Sequence, residues 1–228
     1  ASEAPGDIEA ARHELWRYHD NEKLGTIAWY TDPVVLGNYP ADGLAKLERY
    51  LPGGWQGDLA TIRQPIDFLG LNLYNGHEVK EGGGTVRRFD GHAHTAMKWP
   101  VTPGILYWTV RFAWERYGLP PVISENGISS MDWVHLDGTV PDPGRIDFLS
   151  RYLANLERAV DEGVPVQAYF HWTLLDNFEW TEGYKERFGL IHLDFVTQKR
   201  TPKASAYWYA GLIRRRTTGL ATPGPGLV

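Results

Sequence analysis

The sequence PVISENG, residues 121–127, is the most informative part of this chain. The run from Val122 to Ser124 is short and mostly β-branched and apolar, and Glu125 follows it directly. The pair after Glu125 is Asn-Gly, which is a strong turn signal. The stretch therefore predicts a buried strand with a carboxylate at its carboxyl end. The alternative interpretation is that Glu125 merely precedes the turn.

Apolar runs and helical spacing predict that strands and helices alternate along the chain. The predicted strands are 66–73, 122–124 and 165–170, and the predicted helices are 7–20, 103–117, 144–162 and one that begins near 202. Residues 31–57 are predicted to form a long connection with one short helix at 43–50, and 81–91 a glycine-rich loop. Nearly continuous apolar strands between helices imply a parallel sheet that helices cover.

The composition limits the kinds of protein that this chain can be. It has 228 residues, 43% of them hydrophobic, which is enough for a sizeable core in one or two domains. A net charge of -5 and a pI near 5.9 give no broad attraction to nucleic acid or to an anionic membrane. The one basic run, 214–216, is expected to close the last helix, where cations complement the helix dipole.

Membrane, disulfide and metal sites are not expected either. No apolar stretch approaches the roughly 18 residues of a membrane span. The chain has no cysteine, which excludes disulfides and thiolate zinc sites. His92 and His94 alternate in a glycine-rich loop without further placed ligands, so we predict no metal and no cofactor. We expect a cytoplasmic location and leave secretion open, because residue 1 is Ala and the original N-terminus is not visible.

Aromatic residues are frequent in this sequence, with 10 Trp and 12 Tyr. Sugar rings have apolar faces that stack on such side chains, so aromatic residues in loops are compatible with a carbohydrate site. Four tryptophans instead fall on helical patterns, and we expect them to fill the core: Trp16, Trp108, Trp114 and Trp208.

A second stretch, FHWTLLDNFEW at 170–180, leads from an apolar run into a loop that carries two tryptophans and Glu179. Together with PVISENG it resembles the last two strand ends of glycoside hydrolase family 1. The resemblance continues in order and spacing through 32–40, 67–74, 185–190 and 197–209. It covers almost the whole chain and implies the C-terminal half of a retaining β-glycosidase.

The resemblance also implies an α/β fold, namely strands six to eight of a (β/α)8 TIM barrel with their helices. The earlier portion of the family, with the Asn-Glu-Pro motif whose glutamate is the acid/base, has no counterpart in this sequence. Three parallel strands alone would expose two edges and the inner face of the barrel. We therefore expect 1–216 to be one barrel half that a separate N-terminal chain or copies of itself complete, and 217–228 to be a flexible tail.

Three residues are matched to the reaction centre of the family. Glu125 matches the nucleophile, a carboxylate that works with an acid/base about 5 Å away. Tyr74 matches the residue that donates a hydrogen bond to the nucleophile, and Asn72 matches a polar contact in the sugar site. Strand alternation puts Asn72 and Tyr74 on one face, the inner face of the barrel. The alternative is that Tyr74, like most strand tyrosines, belongs to a core.

Five further residues match the walls of the family's sugar pocket. Glu179 and Trp180 match the pair that holds the outer hydroxyls of the sugar, and Trp172 matches the tryptophan at the floor of the site. Trp99 matches the tryptophan near the leaving group, and Phe188 matches a further lining residue. Phe188 occupies the place of a phosphate-binding serine-lysine pattern, which favours unphosphorylated sugars.

Three positions depart from the family pattern, namely Leu73, Ser124 and His171. None of them removes a group that the reaction needs. For Asp176 and Asn177 we favour a structural role, because short polar side chains in tight loops usually cap backbone groups.

The leading hypothesis is a β-glucosidase-like retaining enzyme that hydrolyses terminal β-D-glucosyl or related β-glycosyl residues. This chain would supply the nucleophile and most of the glycone pocket, and a complementary half the acid/base. One alternative is a non-catalytic, carbohydrate-binding or self-assembling half barrel. Another is a proteolytic or engineered fragment of a longer enzyme, which shares every site prediction with the first.

Overall fold

The computed structural model describes residues 2–19 and 26–217. Within these ranges the helices are α1 (Pro5–Trp16), α2 (Ile27–Val35), α3 (Ala41–Leu47), α4 (Trp55–Ile62), α5 (Ile105–Tyr117), α6 (Pro143–Asp161) and α7 (Ala204–Thr217). The strands are β1 (Leu69–Asn72), β2 (Pro121–Asn126), β3 (Ala168–His171), β4 (Ile191–Leu193) and β5 (Arg200–Pro202). Short 3-10 turns lie at Glu48–Tyr50 and Trp180–Glu182.

The first three strands form a parallel sheet in the order β1-β2-β3, with α5 and α6 as the crossovers. This confirms the predicted parallel sheet and the three predicted strands. The predicted first strand begins too early, because residues 66–68 are exposed and lie outside the ladder that starts at Leu69. Since all three strands run the same way, their carboxyl ends meet at one edge of the sheet.

One face of the sheet is covered by helices. Buried residues of α6 recur every three or four positions, which makes one apolar stripe along the helix: Phe148, Leu149, Tyr152, Leu156 and Ala159. This stripe packs with Val110 of α5 and Ile123 of β2, which are both fully buried. Trp108, Trp114 and Trp208 pack against the same core, as predicted. Trp16 lies outside this core and packs edge-on against Tyr117 with ring centres 5.5 Å apart.

The opposite face of the sheet is open. Phe68, just before β1, and Phe170 in β3 are 51% and 58% exposed. Asn72 and Ser124 are exposed on the same face. Among the described residues β1 and β3 are edge strands. An apolar and polar sheet face of this kind is normally covered by protein.

The prediction for 31–57 was wrong in its helix content. Two helices, α2 and α4, flank the short helix that the sequence indicated. Pro33 lies inside α2, and proline normally argues against a helix. A buried contact overrides that preference: the carboxylate of Asp32 receives hydrogen bonds from Arg116 at 2.5 and 3.0 Å and from the Tyr117 hydroxyl at 2.8 Å.

The end of the chain differs from the prediction in two respects. An antiparallel hairpin of β4 and β5, which the sequence did not indicate, precedes α7. The last helix includes the basic run and reaches Thr217, so all but one residue of the predicted tail lie outside the described residues. None of the helices in the described ranges is both long and apolar enough to cross a membrane.

Candidate active site

Glu125 lies at the carboxyl end of β2, in the middle of the three-stranded sheet. Its neighbour Ser124 is exposed, whereas Ile123 and Asn126 on either side are fully buried. The buried neighbours fix the strand, so the Glu125 carboxylate is held at the edge where the strand ends meet.

Tyr74 is the direct partner of this carboxylate. Its hydroxyl donates a 2.8 Å hydrogen bond to Oε2 of Glu125. Burial, this hydrogen bond and the negative charges of Glu125 and Glu179 all raise the pKa of Tyr74. Tyr74 is therefore protonated at neutral pH and acts as a hydrogen-bond donor.

Asn72 lies on the open face of the sheet, two residues before Tyr74. Its Oδ1 accepts a 2.8 Å hydrogen bond from the hydroxyl of Ser124. Because Ser124 occupies the amide oxygen, the amide nitrogen of Asn72 points away from Ser124 and remains a hydrogen-bond donor on the exposed side of the site. Ser124, one of the three positions that depart from the family pattern, thus supplies the hydroxyl of this contact.

An aromatic wall adjoins Tyr74. The ring centres of Trp99 and Phe188 lie 5.4 and 6.2 Å from that of Tyr74, and 6.1 Å from each other. Phe188 is only 1% exposed, so it is a buried support of the wall. Edge-to-face aromatic contacts of this kind fix ring orientations. The structure therefore brings together Glu125, Tyr74, Trp99 and Phe188.

The loop after β3 carries the second carboxylate. The indole nitrogen of Trp172 donates to Oε2 of Glu179 at 3.3 Å. Trp180, the next residue, is 77% exposed and projects into solvent. This loop lies against the end of β2, because the backbone nitrogen of Trp172 donates to the Asn126 carbonyl at 2.8 Å.

Gly127 explains how the two strand ends approach so closely. A Cβ atom at this position would lie 1.9 Å from the carbonyl oxygen of Trp172. No side chain fits there, so the glycine of PVISENG serves the close packing of the two strand ends, and no turn follows β2 at 127–130. Gly189 is similar, since a Cβ there would lie 2.2 Å from the backbone nitrogen of Asp176.

A buried cluster of charges supports this loop, and sequence reasoning missed it. Asp176 accepts from the backbone nitrogens of Gly189 and Leu193, which confirms its predicted capping role. Its carboxylate also accepts hydrogen bonds from Nζ of Lys203 at 2.9 Å and from a guanidinium nitrogen of Arg187 at 2.6 Å. The Oδ1 atom of Asn177 has no partner in the described structure, so no cap through that oxygen is found there.

The cluster extends to α6 through a second acidic residue. Lys203 also donates to Asp132 at 2.6 Å, and Asp132 accepts from Arg145 at 2.7 Å. Arg145 pairs further with Asp142 at the start of α6. Lys203 and Arg145 are completely buried. Burial and the positive charge of Arg145 lower the pKa of Lys203, whereas Asp132 and Asp176 oppose that shift.

His171 lies beside this cluster, one residue before Trp172. Its Nε2 is 3.3 Å from the carbonyl oxygen of Phe188, and its Nδ1 is buried without a partner among the described residues. Burial, with the positive charges of Arg145 and Lys203, lowers the pKa of His171 to about 3. The ring is therefore neutral at physiological pH and donates from Nε2.

The two histidines of the glycine-rich loop stand close together, with ring centres of His92 and His94 6.2 Å apart. In 2–19 and 26–217 no three His, Asp or Glu side chains are grouped so that they could hold a metal ion.

Fold and site together define a class of protein. It is a parallel β/α protein whose carboxylates and tryptophans converge where the strands end, which is the arrangement of β/α barrels. A sequence model described as "Glycosyl hydrolase family 1" matches residues 4–218. The chain belongs to that family.

Individual relatives agree with this assignment. The chain is 39% identical over 227 residues to "Beta-glucosidase A" of Thermotoga maritima, covering 94% of this chain and 48% of the relative. It is 40% identical over 219 residues to "1,4-beta-D-glucan glucohydrolase" of Thermotoga neapolitana, again covering 94% and 48%. The chain thus spans about half the length of the curated relatives that it matches.

Solved structures give the same result. A β-glucosidase from Thermotoga maritima in complex with glucoimidazole superposes with a TM-score of 0.79 at 39% identity, over 94% of this chain and 48% of that one. A complex of the same organism's β-glucosidase with castanospermine gives a TM-score of 0.81 at 36% identity, over 98% and 49%. The chain therefore has the fold of about half of a family 1 β-glucosidase.

Proposed function

We propose that this chain supplies the nucleophile and the glycone pocket of a retaining β-glycosidase that hydrolyses terminal β-D-glucosyl or related β-glycosyl residues. The observation that carries the proposal is the 2.8 Å hydrogen bond from Tyr74 to Glu125, at the carboxyl end of a parallel sheet. A donor fixed in this way holds one carboxylate oxygen and leaves the other available for attack.

The proposed reaction has two steps. In the first, a Glu125 oxygen attacks the anomeric carbon, the glycosidic C–O bond breaks, and the leaving oxygen takes a proton from the acid/base. In the second, the acid/base accepts a proton from water, the water oxygen attacks the anomeric carbon, and the Glu125 carboxylate is released. Glu125 is unchanged after both steps, and the configuration at the anomeric carbon is retained.

The sugar itself is bound by the loop after β3 in this proposal. Glu179 accepts hydrogen bonds from sugar hydroxyls, and its contact with the Trp172 indole at 3.3 Å restrains its orientation. Trp180 is free to stack on the sugar because it is 77% exposed. Asn72 offers its amide nitrogen, Trp172 forms the floor, and Trp99 lies towards the leaving group. Phe188 next to Gly189, in place of a phosphate-binding serine-lysine pattern, favours unphosphorylated sugars.

The acid/base belongs to the N-terminal half of the barrel, in the same polypeptide or in a partner chain. The open sheet face supports this part of the proposal, since Phe68, Phe170 and the neighbouring polar residues need a cover. Without the acid/base, protonation of the leaving group is lost, and such help is worth about two to four powers of ten in rate. We therefore expect residues 1–216 to act as one barrel half.

The same open face is compatible with one rival, in which copies of this chain associate and bind sugar without cleaving it. Native mass spectrometry separates the two. Particles that contain the complementary barrel half with an Asn-Glu-Pro motif support the enzyme, and symmetric assemblies of this chain alone support the rival.

Chemical rescue tests the assigned nucleophile. Glu125→Gly, made in the protein that contains the whole barrel, should leave almost no turnover of an activated aryl β-glucoside. Azide should restore release of the aryl group and give the α-glucosyl azide, because azide attacks from the face that the carboxylate vacates. The control is Glu182→Gly, which removes a half-exposed carboxylate paired with Lys185. An active Glu125→Gly variant, or one that azide does not rescue, would contradict the assignment.

Mixing experiments test the division of the barrel. This chain and an N-terminal half that bears the acid/base are prepared separately and combined. We expect aryl β-glucosidase activity well above the sum of the two halves, and its loss when the acid/base glutamate is replaced by Gln. A mixture no better than either half would count against the division.

A further inference from the structure

Strand β2 is irregular where Glu125 lies. In its pairing with β1, Leu71 faces Ile123 and the next residue, Asn72, faces Glu125. In its pairing with β3, Tyr169 faces Ile123 and His171 faces Asn126. Both neighbours therefore show one extra residue in β2 between Ile123 and Asn126. An extra residue of this kind is a β-bulge, which re-aims a side chain and disrupts the local ladder.

The side chain of Asn126 bridges the sheet at this bulge. Its amide nitrogen donates to the Leu73 carbonyl at 2.7 Å, across to the end of β1. Its amide oxygen accepts from the Tyr169 hydroxyl at 2.8 Å, across to β3. The residue is completely buried. One side-chain amide thus joins all three parallel strands where the regular ladder is broken.

Each of the three joined strand ends carries a residue of the proposed site. Leu73 precedes Tyr74, Asn126 follows Glu125, and the Asn126 carbonyl holds the backbone nitrogen of Trp172 at 2.8 Å. The Glu125 carbonyl in turn accepts from the Leu73 nitrogen at 2.9 Å. A shift of Asn126 would therefore change the separation of Tyr74 from Glu125 and the placement of Trp172.

We propose that Asn126 is a positioning residue, whose buried amide sets the spacing of Tyr74, Glu125 and Trp172 across the bulge. The inference rests on the proposed function, because it assigns a role in the attack by Glu125. Asn126 touches neither the sugar nor the reacting atoms. Its effect on rate arises from geometry, and displacement of a reacting group by about 1 Å can cost about 10²-fold in rate.

Two variants and one matched control test this role in the protein that contains the whole barrel. Asn126→Ala removes both side-chain bonds, and Tyr169→Phe removes one of them while it keeps the aromatic ring. The control is Tyr117→Phe, which also removes one buried hydrogen bond of a tyrosine hydroxyl, here to Asp32. Tyr117 is the last residue of α5, before β2 begins. The control measures what the loss of a buried hydroxyl bond does without any link to Glu125.

The kinetic readout is inactivation by 2-deoxy-2-fluoro-β-D-glucosyl fluoride, which isolates the first chemical step. We expect the limiting inactivation rate to fall about 10²-fold in Asn126→Ala and about tenfold in Tyr169→Phe. The reagent concentration at half-maximal rate should change by less than about threefold, because the sugar contacts remain. Tyr117→Phe should inactivate at the wild-type rate even if it melts at a lower temperature.

Hydrogen exchange adds a readout that does not depend on activity. The backbone amide of Leu73 donates a hydrogen bond to the Glu125 carbonyl, and its hydrogen should exchange faster in both Asn126→Ala and Tyr169→Phe. In Tyr117→Phe it should exchange at the wild-type rate. If the wild type is not labelled by the reagent, the proposed function fails and the inference fails with it. If the wild type is labelled, two results would overturn the positioning role alone. One is that Asn126→Ala and Tyr169→Phe are inactivated and exchange at the wild-type rates. The other is that Tyr117→Phe loses as much inactivation rate as they do. Should Asn126→Ala fail to fold, Tyr169→Phe alone decides between these outcomes.

Discussion

The hydroxyl of Tyr74 donates a hydrogen bond of 2.8 Å to Oε2 of Glu125, although the two residues are 51 positions apart in the chain. The bond joins the ends of β1 and β2 on the open side of the sheet. Because it orients one carboxylate oxygen, the Glu125 side chain has a defined direction before any substrate binds. This preorganisation is the central element of the proposed mechanism.

Removal of the Tyr74 hydroxyl should slow the reaction. A hydrogen bond to a charged group contributes about 1.5–3 kcal/mol, so Tyr74→Phe should lower kcat/KM for an aryl β-glucoside by about ten- to a hundredfold. Tyr207→Phe, which alters an exposed tyrosine of α7, is the control and should have wild-type kinetics. Unchanged kinetics in Tyr74→Phe would show that this bond has no part in catalysis.

Neutralising Glu179 should weaken sugar binding. In Glu179→Gln the charged acceptor is lost while the shape is kept, so the inhibition constant for glucose should rise about ten- to a hundredfold. The matched control is Glu182→Gln, since Glu182 lies in the same loop and pairs with Lys185 on the surface. Equal inhibition constants in the two variants would remove Glu179 from the glycone pocket.

The buried charge cluster predicts an unequal response of two arginines on the same helix. Arg145→Met removes the buried guanidinium that pairs with Asp132 and Asp142 and leaves Lys203 as the remaining cation on Asp132, which should lower the free energy of unfolding by about 3–5 kcal/mol. Arg151→Met breaks only an exposed pair with Asp147, whose side chains are 61% and 62% exposed, and should unfold like the wild type. Chemical denaturation of both variants measures the difference. Equal stabilities would mean that the cluster contributes nothing.

The neutral, partly buried His171 predicts a loss of stability in acid. Its pKa is about 3 in the folded protein and 6.5 in the unfolded chain, so the unfolded state binds the extra proton between these values. The stabilisation is complete above pH 6.5 and declines as the pH falls towards 3, by about 2 kcal/mol at pH 5. His171→Asn should abolish this part of the pH dependence in denaturation curves at pH 7 and pH 5. An identical pH dependence in the variant would contradict the assigned state of the ring.

The parallel sheet was predictable because the sequence patterns that specify its strands and crossover helices are local. The strands around Ile123 and Tyr169 are nearly continuous apolar runs, and α5 and α6 have clear helical periodicity and proline near the start. Asn72 and Tyr74 could be assigned to one face from strand alternation. The candidate site could also be located from sequence, since the carboxyl ends of parallel strands meet at one edge.

Features that depend on distant partners could not be predicted. Helix α2 contains Pro33 and is anchored through Asp32 to Arg116, 84 residues further along. Lys203 is a lysine after a proline in the sequence, and no local pattern indicates that it is buried between Asp132 and Asp176. The role of Asn126 was hidden for the same reason, because Asn-Gly is read first as a turn. A buried polar group acquires its role from residues that fold around it.

Peptide mapping of the protein after inactivation by 2-deoxy-2-fluoro-β-D-glucosyl fluoride identifies the nucleophile. In the protein with its whole barrel we expect one fluoroglucosyl adduct, on Glu125 in the peptide that contains residues 121–126. An active protein that forms no adduct, or forms it on another residue, would show that Glu125 is not the nucleophile.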